Sequence, residues 1–475
     1  MTRELNNLAL AFMLGFCLVA LSSAYWSILQ HDDLLTRSDN PRRIAAEQTF
    51  PRGMIVDRNG LAIASSRPRG SEGIMQRIYP YDEAVGAIGY YSHQYGADGL
   101  EAAFDDVLVG EYGAPDEWRV LWNDLLDRET PGYDLRSTID LRLQVEVTQV
   151  LGNHAGAAIV LHVPTGQILA MSSQPSPDPN VIDLNWDELN ALDTQTPRES
   201  PLLNRALRGT YQPGTAIQPA LMVAMLAEGE ALTQRVPDIS RPVILPELSS
   251  QVGVWPCLFS PGQSTELVDA FAHTCPRPFV STLGTTLSAA DYRRYLSQFG
   301  FMDSPPLYRM ETGRGNTRLS PDLNVQLEAM GQGQLTITPF QMALFVAAIA
   351  NNGSPPYPHL ANAYRPSDEV EWRPFDIPFH SPVTLPEAVI PDIRQALRLS
   401  ASVLFDDVSP TWHGHLGTAY SGVPPRVYSW FQGFVDLPDD GAAIVLIIVI
   451  EGVEEPEAAA DAAAPILARL DDWRD

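Results

Sequence analysis

The chain has 475 residues, of which 45% are hydrophobic, enough for two or three domains and at least one sizeable core. Acidic residues outnumber basic ones 58 to 31, and a net charge of −27 repels phosphate backbones, which argues against nucleic acid as a partner. All 31 basic residues are arginine; without lysine, Schiff-base chemistry, a P-loop ATPase and a serine–lysine dyad are excluded, because arginine stays protonated.

No charged residue falls between positions 5 and 30, and residues 8–29 form an apolar stretch broken only by Gly15 and three serines. As a helix, that length spans a bilayer core of roughly 30 Å. Arg3 precedes it and Asp32 and Asp33 follow, a bias that leaves the N-terminus inside and the bulk of the chain outside. A signal peptide cleaved near Ser22-Ser23-Ala24 is the alternative, although the apolar run exceeds a usual signal core. Residues 1–30 are read as a cytoplasmic tip and single-pass membrane anchor. Cys17 lies in that anchor, so an oxidising exterior would see Cys257 and Cys275, eighteen positions apart. A disulfide between them is the expectation, with two buried free thiols as the alternative.

Residues 31–136 carry short strand-like pieces rich in turn residues. Met54-Ile55-Val56, the turn Asp57-Arg58-Asn59-Gly60 and Leu61-Ala62-Ile63-Ala64 read as a hairpin with Asn-Gly at its bend. From residue 137 the texture changes. Residues 140–151 read as an amphipathic helix, followed by a hairpin of 157–163 and 167–172 around Pro164-Thr165-Gly166. A helix over 215–228, apolar on most faces, should be central. Thr338-Pro339 starts another with an N-cap threonine, running to Asn351 and stopping at Gly353. Residues 427–437 and 442–450 form a second hairpin around Pro438-Asp439-Asp440-Gly441, and 444–450 should be buried on both faces. A last helix covers 456–470. The sum is an α+β fold with an antiparallel sheet over residues 137–475.

Several of these segments then align with one known pattern. Pro51-Arg52-Gly53-Met54-Ile55-Val56-Asp57-Arg58-Asn59-Gly60 and Gly99-Leu100-Glu101 with Gly110 come first, in chain order. Thr165-Gly166-Gln167-Ile168-Leu169-Ala170-Met171, Asp178-Pro179-Asn180, Leu203-Asn204-Arg205-Ala206-Leu207 and Tyr211-Gln212-Pro213-Gly214 follow. Gly331-Gln332-Gly333, Thr338-Pro339-Phe340-Gln341-Met342-Ala343 and Trp430-Phe431-Gln432-Gly433-Phe434 complete the set. Together they resemble the class B penicillin-binding proteins, membrane-anchored peptidoglycan transpeptidases. The resemblance implies a small β-rich pedestal (dimerisation-like) domain over 31–136 and a serine β-lactamase-like transpeptidase domain over 137–475. It implies no cofactor.

The family's chemistry needs a serine that opens a helix, a lysine one turn later, a serine–x–asparagine motif and a lysine–threonine–glycine strand. The first place here holds Thr215 and Gln218, and a neutral amide cannot accept a proton near pH 7. The second reads Thr274-Cys275-Pro276, where proline removes both the amide side chain and a backbone donor. The third reads His415-Leu416-Gly417-Thr418; Gly417 and Thr418 can still shape the strand and meet a carboxylate. His413 and His415 alternate along this strand, but no third ligand is evident, so no metal is assigned.

Two functions follow from the resemblance. One is a degenerate penicillin-binding protein, acting as a scaffold of the cell-wall synthesis machinery or binding peptidoglycan stem peptide or β-lactam without turnover. Its pedestal would dock wall-synthesis proteins. The other is an active D,D-transpeptidase using Thr215 as a substituted nucleophile, with His273 or His415 as a non-lysine base.

Overall fold

The computed structural model describes residues 2–25, 51–69, 74–113, 131–196, 198–245, 253–283, 285–320, 324–379, 381–422, 425–438 and 441–473. The end of the 8–29 apolar stretch, the pedestal up to residue 50 and the Asp439-Asp440 turn lie outside them. Helix α1, Thr2–Ala24, includes the polar residues Arg3, Glu4, Asn6 and Asn7. Among the described residues no helix is long and apolar enough to cross a membrane.

Strands β1 (Ile55–Val56), β2 (Ala62–Arg69), β3 (Ile74–Ile78) and β4 (Asp134–Ser137) begin the first sheet. The Asn-Gly turn joins β1 to β2 antiparallel, because Gly60 at φ 88° supplies the left-handed residue the bend requires. Helix α2 (Leu141–Leu151) follows, and its cap Asp140 accepts from the Arg142 and Leu143 amides. Strands β5 (Gly156–His162) and β6 (Gln167–Gln174) form the next hairpin. Helix α3 covers Gln218–Ala227 and is preceded by a 3₁₀ turn over Gly214–Ile217. The α-helix therefore starts three residues later than the sequence suggests. Pro219 explains the shift: it has no N–H to donate and fits only a first turn.

Short helices α4 (Leu267–Ala272) and α5 (Arg277–Thr282) lead to α6, Pro339–Ala350, whose Thr338 and Gln341 form a reciprocal capping box. Strands β7 (Ala361–Arg365) and β8 (Arg373–Pro374), helix α7 (Ile390–Leu404), strands β9 (Trp412–Ser421), β10 (Arg426–Asp436) and β11 (Ala443–Val453), and helix α8 (Ala458–Asp471) complete the chain.

The six-stranded sheet has the order β8-β7-β4-β1-β2-β3, so residues 361–374 complete a sheet begun by the N-terminal region. The five-stranded sheet is β9-β10-β11-β5-β6, antiparallel throughout. Strand β11 divides two cores: Val445, Ile447 and Val449 join α3 and α6, while Ile444, Leu446, Ile448 and Ile450 join α2 and α8. That arrangement matches the two-sided burial expected of 444–450. Asn180 ties the two sheets' regions together, accepting from the Tyr79 amide at 2.9 Å and donating to its carbonyl at 3.0 Å.

Candidate active site

The 3₁₀ turn at 214–217 lies directly against β9. A Cβ on Gly214 would come within 1.8 Å of the Thr418 carbonyl oxygen, and one on Gly417 within 2.1 Å of the Ala216 nitrogen. Glycine at both places is what lets the two backbones touch. The contact brings Thr215 Oγ1 to 2.9 Å from the Thr418 amide, which donates to it. From β10, Gln432 donates through Nε2 to the Ala216 carbonyl at 2.6 Å. The β9–β10 register places Gln432 opposite His415, so both side chains reach the same turn.

Gln218 sits one turn after Thr215. Its Nε2 reaches the Cys275 carbonyl at a long 3.5 Å, and its Oε1 has no partner among the described residues. Thr274 donates its hydroxyl to the Leu416 carbonyl at 3.0 Å, which fastens the second motif to β9. Its φ is 50°, an uncommon conformation for a β-branched residue, with a cost of roughly 1–3 kcal/mol unless neighbours enforce it. Two neighbours do. The Cys275 amide donates to Ala270 at the end of α4, and Cys275 is joined to Cys257 by a disulfide. The disulfide is thus present as the sequence suggested. Pro276 caps α5 and contributes no donor.

His415 is fully buried, stacked on Phe271 at 4.5 Å, with Nδ1 3.2 Å from Ser400 Oγ. Burial pushes its pKa down to about 3, and the backbone of Thr215 opposes this only in part. Its Nε2 is buried with no hydrogen-bond partner among the described residues. The ring is neutral at pH 7.

The other two histidines considered from sequence are occupied elsewhere. His273 Nδ1 contacts the Asp269 carbonyl at 2.8 Å, within the end of α4. His413 lies between Asp436 Oδ2 at 2.9 Å and the Arg394 carbonyl at 3.0 Å. Among the described residues no group of three His, Cys, Asp or Glu side chains could hold a metal.

Thr215, Gln218, Thr274, His415, Gly417 and Thr418 therefore meet around one turn, with the first four no more than 3% exposed. The cluster can exchange hydrogen bonds, but it holds no side chain able to take the Thr215 proton near neutral pH. Gln432 and Ser400 were not singled out as site residues from sequence. The register partner of His415 was the signal for Gln432, and it requires knowing which strands pair.

Comparison with known proteins agrees with this architecture. A family profile described as penicillin binding protein transpeptidase domain matches residues 156–470, and one described as penicillin binding protein A dimerisation domain matches residues 52–134. The peptidoglycan D,D-transpeptidase PbpA of Mycolicibacterium smegmatis is 27% identical, over 98% of this chain and 97% of its own. The protein of the same name from Mycobacterium tuberculosis is 29% identical, covering 78% and 76% of the two chains. The penicillin G acyl-enzyme structure of penicillin-binding protein A from M. tuberculosis superposes with a TM-score of 0.73 at 25% identity, covering 89% of this chain and 98% of that one. On the two profile matches and the shared architecture, the chain belongs to the class B penicillin-binding proteins.

Proposed function

We propose that this chain is a catalytically inactive penicillin-binding protein, a scaffold or peptidoglycan- and β-lactam-binding component of the cell-wall synthesis machinery. The observation that carries this reading is Gln218. Acyl transfer requires the Thr215 Oγ proton to leave as the oxygen attacks a carbonyl carbon, and a neutral amide cannot receive it. No lysine exists elsewhere in the chain to substitute. His415, with a pKa of about 3, is too weak a base at pH 7. The Thr418 amide, which would face an oxyanion, already donates to Thr215 itself.

The placement outside the membrane belongs to the same proposal. Leu8, Phe12, Phe16 and Leu18 on α1 are all exposed, so among the described residues nothing covers this apolar surface, as an anchor in lipid requires. The relatives named as peptidoglycan D,D-transpeptidases, and the penicillin G acyl-enzyme of one of them, supply the ligand classes.

A fluorescent penicillin tests the reading. No covalent adduct is expected after long incubation, nor with Thr215→Ser alone, which restores a nucleophile without its base. Thr215→Ser with Gln218→Lys should recover slow labelling, limited by Pro276. An adduct of β-lactam mass on Thr215 of the unaltered protein would overturn inactivity and make the chain a threonine-dependent transpeptidase.

A further inference from the structure

Helix α7 carries Arg394 and Arg398 one turn apart, and that face lies against the β9–β10 hairpin. His413 of β9 sits at this contact. It stands opposite Phe434 in the strand register and stacks on that ring at 4.3 Å. Its side chain is 1% exposed, whereas Asp436 and Arg394 beside it are 26% and 24% exposed. The imidazole is out of water but joined to water through its partners.

The neighbours of the ring decide which protons it carries. Nδ1 lies 3.0 Å from the Arg394 carbonyl, and Nε2 lies 2.9 Å from Asp436 Oδ2. Burial would raise the Asp436 carboxyl, but hydrogen bonds from His413 and Arg394 hold it below its usual range, so it is ionised. A carbonyl and a carboxylate can only accept, so in this arrangement both ring nitrogens donate. Arg398 Nη2, itself a donor, approaches Nε2 at a long 3.4 Å. The surrounding charges are mixed. Asp436 attracts a charged ring, and Arg394 and Arg398 repel it. Asp471 of α8 reaches only Thr411, two positions before the ring, and His415, two positions after it, is neutral at pH 7.

We propose that His413 is a pH-sensitive latch between α7 and the β9–β10 hairpin. Doubly protonated, it donates to the Arg394 carbonyl and to Asp436, which ties helix to strand. When the Nε2 proton leaves to water, the ring loses its charge and turns a lone pair toward the carboxylate. Asp436 then repels it, and Arg398 becomes its donor. No covalent bond changes. The exchange loosens α7, which carries Ser400, and Ser400 Oγ lies 3.2 Å from His415 Nδ1 and 3.5 Å from the Ala272 carbonyl. The latch would thus regulate how firmly the candidate site is held, and for that purpose it rests on the proposed ligand-binding role. Its readout involves no penicillin, so either reading can fail without the other.

The test uses the full-length protein labelled with nitrogen-15 histidine, with His413→Gln to assign the ring signals. At about pH 5.5 both nitrogens of His413 should carry protons, and at about pH 9 Nδ1 alone should. An unprotonated Nε2 already at the lower pH would overturn the proposal, because Arg398 would be its donor throughout. So would both protons retained at the higher pH, which describes a fixed ion pair. Hydrogen exchange gives a second readout. Corrected for intrinsic rates, the amides of α7 should exchange about threefold faster at the higher pH, relative to those of β5 and β6. Asp436→Asn removes the charge that favours the protonated ring and should erase this difference. An equal rise in that variant, or no rise in the unaltered protein, would sink the latch.

Discussion

His415 shows how a single burial decision can retire a titratable group. On a solvated strand, imidazole would be half protonated near pH 6.5. Stacked on Phe271 and out of water, it holds a proton only near pH 3. The folded pKa lies below the unfolded one, so the unfolded chain binds the extra proton in the window between them. Stability from this residue is therefore present above about pH 6.5 and is lost as pH falls toward 3, by about 1.4 kcal/mol per pH unit. His359 is shifted the same way by burial and adds to the slope. Replacing His415 with phenylalanine should flatten the stability profile between pH 4 and 6 by about one proton, read from urea unfolding at each pH. An unchanged slope would show that the imidazole reaches water.

At the scale of elements, the central helices stand because their ends are closed. Helix α6 is buried on every face, so its first amides cannot turn to solvent. Thr338 Oγ1 accepts from the Gln341 amide at 3.1 Å, and Gln341 Oε1 accepts from the Thr338 amide at 2.9 Å. Gln341 Nε2 also donates to the carbonyls of Gly300 and Asp303, tying the preceding segment to the cap. Thr338→Ala should cost about 1–2 kcal/mol of unfolding free energy, and Thr338→Ser should recover most of it. Denaturant titration of the two variants distinguishes this from loss of the threonine methyl group, which serine would not restore.

Across the whole molecule, the N-terminal region is organised by one buried carboxylate. Glu101 accepts from Arg77 at 2.7 Å, from Arg52 at 3.3 Å and from the Tyr79 hydroxyl at 3.1 Å. Arg52 continues to Asp105 at 2.6 Å and covers the Tyr91 ring at 4.0 Å. Because the Tyr79 backbone is clamped by Asn180, this network reaches the second domain. The apolar core is shared as well: Ile55 and Phe104 belong to the same cluster as Met171, Ile217 and Phe340. Glu101→Gln leaves two buried guanidinium groups undercompensated and should cost roughly 3–5 kcal/mol. Hydrogen exchange should then quicken in β5 and β6 together with β1 to β3, as one cooperative unit. Faster exchange confined to β1 to β3 would show that the two regions unfold independently.

Much of this protein was legible from short stretches of sequence. Apolar periodicity, the Thr338-Pro339 start, the Asn-Gly bend and the two hairpins depend on residues within a few positions of each other, where backbone preference acts. The proposal that Thr215, Gln218, Pro276 and His415 stand in the family's motif places rests on the same kind of signal, since each motif is contiguous. What those substitutions amount to was decided in three dimensions. Thr215 meets the Thr418 amide across 203 positions, Gln432 meets Ala216 across 216, and Thr274 meets Leu416 across 142. The joining of residues 361–374 to the first sheet and the burial that neutralises His415 are of the same kind. Such contacts come from which strands pair and which faces lose water, and local sequence carries no record of either.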